Sequence, residues 1–243
     1  MMRESPPSPT PTGYDVARVV FIVIGLTFAG VAVLFLTFGA LAELGSSAAA
    51  EVPGPLLFAI EALVIWFALW LVLIRKRKFT WADLGWVPVS WGWLLLGVIS
   101  CAAIYTVAIS IRLLLGQLDN AEDVTWIPDP LPLFPASVMG YALSIAFGAV
   151  AVPIAEEFLF RGVLYRWLRS RWGVFNGIVG SSLIFALVHP PAAGGALQIF
   201  LIGLVLAWLY EKAGSLWPSM ALHCCNNAIG ITLIYTVLWL DSG

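Results

Sequence analysis

The chain has 243 residues, of which 61% are hydrophobic and 11% charged, with a formal net charge of −2 and a mean hydropathy of +0.96. Soluble domains carry roughly 25% charged residues, so this composition excludes a soluble globular fold. It points to a multi-pass membrane protein whose apolar blocks are long enough to cross a bilayer.

Residues 1–15, MMRESPPSPTPTGYD, are rich in proline and serine and read as a short disordered tail. Residues 16–130 read as the N-terminal transmembrane helices. Val19–Ala42 is an uncharged block of spanning length, and Leu56–Ile74 is a second, interrupted only by Glu61. Arg75-Lys76-Arg77-Lys78 ends it. The connection FTWADLGWVPVSW carries aromatics suited to a membrane interface. A third span lies within Val87–Ile111 and closes at Arg112. The acidic, proline-containing loop to Pro135 separates it from residues 131–243, which read as the functional core.

Span four is expected over Ala136–Ala155. From Trp172 to Tyr210 there is no Asp, Glu, Lys or Arg, and Pro190-Pro191-Ala-Ala-Gly-Gly195 must divide that run. Span five then lies near Val174–Val188, span six near Ala196–Tyr210 and span seven near Leu216–Leu240. The fold class is all-α, a polytopic bundle of about seven spanning helices. With the N-terminus in the cytoplasm, the basic residues fall on the inner side apart from Arg112, as the positive-inside rule asks. The expected location is the plasma membrane.

Candidate chemistry begins at AVPIAEEFLFRG, Ala151–Gly162. Carboxylates near bilayer depth are costly and mark functional sites by default. Glu157 and Arg161 stand four apart with Glu first, the favoured order for an ion pair. Glu156 is left without a local cation, and a carboxylate held away from water suits a general base. The plainer reading, two solvated helix-end charges, fits the spacing equally well. The chain holds two histidines. His189 shares a helical face with Phe185, and His223 shares one with Asn227. Together these supply a base for water, an imidazole to orient it and donors for an oxyanion. Glu156, His189 and His223 also match a catalytic zinc ligand set, although H-E-x-x-H is absent. No nucleophile motif frames Ser181, Ser182, Ser219 or the cysteines Cys101, Cys224 and Cys225, which read as packing residues.

Three motifs in order, Glu156-Glu157-x-x-x-Arg161-Gly162, Phe185-x-x-x-His189 and His223-x-x-x-Asn227, resemble the CPBP intramembrane proteases, also called the Abi or type II CAAX prenyl endopeptidase family. The resemblance covers about Val150–Ile231. It implies an intramembrane endopeptidase in which Glu156 activates water with His189, His223 and Asn227 stabilise the oxyanion, and Glu157, Arg161 and Phe185 support the site. It leaves the cofactor open between none and zinc. The implied partners are a peptide or protein substrate, with CAAX-type lipidated chains as the best-known class, and membrane lipid; no nucleic acid is expected. Two rival readings are a non-proteolytic, immunity-type interaction protein of the same fold and a proton-coupled transporter using Glu61, Arg112 and Glu156. One tension stands out. Spans five and six are only about 15 residues each, short of the roughly 20 needed to cross. A simple seven-pass path would then hold His189 far from Glu156. Convergence requires helix four to continue to about Arg169, or spans five and six to dip partway.

Overall fold

The computed structural model describes residues 9–43, 54–119, 136–189 and 195–241. The acidic loop, the Pro190-Pro191 stretch and most of the N-terminal tail therefore lie outside the described residues. Within them the secondary structure is helical throughout. The elements are α1 (Gly13–Glu43), α2 (54–76), α3 (Trp91–Asp119), α4 (138–172), α5 (174–188), α6 (Gly195–Ala213) and α7 (Trp217–Asp241). Among the described residues five helical stretches are long and apolar enough to cross a membrane. The expected fourth and fifth spans are joined into one of them, 138–188, and the expected third lies in α3.

α1 begins earlier than the composition suggests. The Thr12 N–H and hydroxyl both donate to Asp15 Oδ2, at 2.9 and 2.8 Å, while the Asp15 N–H points back to Thr12 Oγ1 at 3.3 Å. This reciprocal T-x-x-D box starts the helix at Gly13, which corrects the tail boundary at residue 15. Asp15 also pairs with Arg77 Nε at 3.2 Å, tying the start of α1 to the end of α2. The last turns of α2, Trp70–Lys76, are π-helical. α3 continues through Arg112 to Asp119, so Arg112 is not the helix end that was expected.

The connection after α2 is folded against the helices. Thr80 and Asp83 repeat the T-x-x-D box, with both Thr80 donors 2.7 Å from Asp83 Oδ2, and a single 3-10 turn, Ala82–Leu84, follows. Its aromatics also make contacts with the helices. Trp81 and Trp86 pack on Phe158, with ring centroids 5.4 and 5.6 Å away, and Trp86 also meets Trp217 at 4.4 Å. The Leu216 N–H donates to the Gly85 carbonyl at 2.9 Å, and the Ser215 hydroxyl to the Val87 carbonyl at 2.7 Å. Burying indole faces against Phe158 removes more apolar surface than leaving them among headgroups would.

α4 resolves the tension over length. It runs past the glutamates to Trp172 and breaks at Gly173, whose φ of 80° and ψ of 176° a side chain would disfavour. α5 then returns along α4. Residue 177 lies so close to Arg169 that a Cβ there would sit 3.0 Å from the Arg169 backbone, and Phe160 meets Phe185 at 4.9 Å. Gly173 lies 17 residues after Glu156 and 16 before His189. At 1.5 Å rise per residue each arm covers about 25 Å, so the hairpin brings His189 back level with Glu156. A short α5 is thus what the geometry needs: it goes only as far as the glutamates.

Candidate active site

The residues of the site come from three elements. α4 supplies Glu156, Glu157 and Arg161; α5 supplies Phe185 and, at its end, His189; α7 supplies His223 and Asn227. Two π-helical stretches, Ile145–Ala151 and Phe158–Tyr165, flank the glutamates on α4. Pro153 follows the first, and its missing N–H removes an i→i−4 bond there. Such π turns change where neighbouring side chains point. All residues from Ala155 to Tyr165 are buried.

Glu157 and Arg161 form the ion pair expected from their spacing, with Arg161 Nη1 2.8 Å from Glu157 Oε1 and both side chains at most 1% exposed. Arg161 is held from two other sides. Its Nη2 donates to the Gly203 carbonyl on α6 at 3.3 Å, and its guanidinium lies 4.5 Å from the Phe185 ring centroid. Glu157 has a further partner the spacing did not reveal: His223 Nδ1 donates to the same Oε1 at 2.8 Å. A contact 66 residues away in the chain leaves no trace in local periodicity.

Glu156, 4% exposed, lies between the two imidazoles. His189 Nε2 is 3.4 Å from Oε1 and His223 Nε2 is 3.5 Å from Oε2. The other ring nitrogens set the tautomers. His189 Nδ1 is 2.6 Å from the Phe185 carbonyl, which can only accept, so Nδ1 carries the hydrogen. His223 Nδ1 likewise carries one, toward the Arg161-paired carboxylate of Glu157. Each ring therefore turns its Nε2 toward one of the two oxygens of Glu156. A ring nitrogen facing a carboxylate oxygen needs a proton or a water between them, and the geometry directs both histidines at one carboxylate.

Phe185 packs this arrangement, with its ring 4.3 Å from that of His189 and 5.6 Å from that of His223. His189 has an extended backbone, φ −87° and ψ 136°, as the residue before a proline prefers. Asn227 stands one turn beyond His223, and its Nδ2 donates to the Gly148 carbonyl at 2.9 Å. Gly148 precedes Glu156 by two turns, so Asn227 lies toward the start of α4 from the carboxylate. Glu61 on α2 is the residue that the transporter reading places on a transport path. It lies within electrostatic range of both Glu156 and His189, and a lone acid inside an apolar span was its signal in the sequence.

A zinc ion would need donor atoms about 2.0–2.2 Å from one point. Among the described residues no group of three or more His, Cys, Asp or Glu side chains is arranged to hold a metal ion. The residues as placed do not fit that group.

Residues 138–229 match the family model for Rce1-like type II CAAX prenyl endopeptidases. Over that segment the chain is similar to this family. The matched segment contains all seven site residues proposed from the sequence and excludes α1, α2 and α3. The chain is similar to the UPF0177 protein YxdF of Lactococcus lactis, 25% identical over 137 residues, or 56% of this chain and 73% of that protein. An "Uncharacterized 24.3 kDa protein" of Escherichia coli is 29% identical over 86 residues, 34% of this chain and 40% of that one. The UPF0177 protein YaiH of Lactococcus lactis is 31% identical over 86 residues, 35% of each chain. No solved structure matches the chain.

Proposed function

We propose that this protein is an intramembrane endopeptidase that hydrolyses peptide bonds with a water activated by Glu156. The observation that carries the reading is the convergence of both histidine Nε2 atoms on the two oxygens of one buried carboxylate. A water bridging Glu156 and His189 gives its proton to the carboxylate as its oxygen attacks the scissile carbonyl carbon. The proton then passes, through Glu156 or His189, to the leaving amine as the C–N bond breaks. Asn227 has two amide hydrogens and commits one to Gly148; the other, with a proton held on His223 Nε2, donates to the oxyanion in this reading. Glu157, paired with Arg161, holds His223 Nδ1–H and supports the positive charge on that ring, much as a buried carboxylate orients the imidazole of a catalytic triad.

The family's description supports CAAX-type processing, so a prenylated C-terminal peptide is the first substrate to test. The basic residues support placing the shared end of α1, α2 and α4 in the cytoplasm. Purified wild type and Glu156→Gln are incubated with prenylated and unmodified membrane peptides, with and without chelator. Removal of a general base lowers cleavage by about 10²–10⁴-fold, with the folded state retained. Full activity in Glu156→Gln would overturn the assignment, and loss of wild-type activity with chelator would overturn the metal-free route.

A further inference from the structure

Away from the catalytic hairpin, the start of α1 and the end of α2 enclose a second feature. Ala17, Phe21 and Ile22 recur at helical spacing on one face of α1 and, with Val72 of α2, form apolar walls. Arg18 and Lys76 stand at the edge of this groove, whose volume is ≈ 350 Å³. We propose that it binds an anionic phospholipid, with the headgroup phosphate on Arg18 and Lys76 and an acyl chain along Phe21.

Three observations favour this occupant. Among the described residues Arg18 and Lys76 form no ion pair with a carboxylate, and the neighbouring Asp15 pairs instead with Arg77 at 3.2 Å. Arg18 is also oriented, its guanidinium lying 4.1 Å from the Tyr14 ring centroid. The position suits a lipid, since the groove sits at the shared end of the spans Gly13–Ala40 and Leu56–Lys76. There a headgroup meets hydrocarbon, and Phe21, 79% exposed, carries the wall onward into the apolar surface of α1. A free phosphate would leave those walls unused, and a zwitterionic lipid would bring its own cation to a cationic mouth. Arg75 and Lys78, exposed beside the groove, add to the positive field without lining it.

The test is native mass spectrometry of the full-length protein in neutral detergent, titrated with phosphatidylglycerol or phosphatidylcholine. Wild type should retain phosphatidylglycerol in preference to phosphatidylcholine. At about fivefold per cation, Arg18→Gln with Lys76→Gln should weaken phosphatidylglycerol binding roughly 25-fold. Arg75→Gln with Lys78→Gln, equal in charge removed, should weaken it much less. Phe21→Gln, on an exposed face and with every charge retained, should also weaken it, and it carries the test if the double variant does not fold. Equal binding of the two lipids by wild type would overturn the proposal. So would unchanged binding after loss of Arg18 and Lys76, or an equal loss in the Arg75/Lys78 pair, which would mean diffuse attraction instead of a site.

Discussion

α1 and α4 are both long apolar helices, yet they are buried to opposite degrees. Only 6% of the best apolar window of α1 is covered by protein, against 39% for that of 138–188, although α1 is the more hydrophobic. In a soluble protein the more apolar helix would occupy the core. In a bilayer the lipid tails are as apolar as leucine, so nothing drives α1 inward. What is driven inward is the segment carrying Glu156, Glu157 and Arg161, because ionisable groups facing lipid cost several kcal/mol. The polar residues of α4 therefore help to explain its burial, and its burial gives them their chemistry.

That contrast can be broken or sharpened by substitution. The largest effect on stability is expected at Arg161. Arg161→Met leaves Glu157 buried without its cation, and breaking such a pair costs about 3–5 kcal/mol. Thermal unfolding in detergent reads this directly, and a variant as stable as wild type would remove the ion pair from the account. Gly162→Val comes next. A Cβ at Gly162 would lie 2.8 Å from the Leu84 carbonyl oxygen, where α4 meets the connection after α2. Overpacking there should cost about 1–3 kcal/mol, and no loss would show that the connection yields easily.

A smaller effect is expected in the connection itself. The hydrogen bonds from Thr80 hold the Asp83 carboxyl below its ordinary range. A folded-state pKa lowered in this way contributes stability at neutral pH that is lost as pH falls through the folded value. Thr80→Ala should cost about 1 kcal/mol at neutral pH and less once Asp83 is protonated. The melting-temperature difference from wild type should therefore narrow between pH 7 and strongly acidic buffer, and an unchanged gap would assign the cost to something other than Asp83. The smallest effect belongs to α1. Phe28, 74% exposed, faces outward, and Phe28→Leu should stay within about 0.5 kcal/mol of wild type in the same unfolding assay. A large loss there would mean that α1 is covered by protein after all.

Much of the site was legible because its parts are local. The Glu157–Arg161 pair follows from four-residue spacing within one helix, and Phe185 beside His189 follows the same rule. The helix ends near Val188, Ala196 and Leu240 were marked by proline, glycine and polar residues. The beginning of α1 was missed because a T-x-x-D box is a weak signal inside a proline-rich stretch. The packing of the aromatic connection on Phe158 was not legible because a tryptophan at an interface and one packed on a helix look alike in a sequence. The contact of His223 with Glu157, and the proximity of Glu61 to Glu156, join residues distant in the chain, so periodicity could not show them.

The sequence by itself determined that this is a helical membrane protein, which residues carry its ionisable chemistry and which of them pair within a turn. Those properties depend on hydropathy and on the 3.6-residue repeat, both written locally. Only the tertiary structure decided that Glu156 stands between two imidazoles. That arrangement depends on α4 continuing to Trp172, on Gly173 taking a backbone conformation that reverses the chain, and on α7 packing against the resulting hairpin. A reversal acts over the whole length of both arms. One residue's freedom at φ 80° therefore set contacts 33 residues apart, from Glu156 to His189.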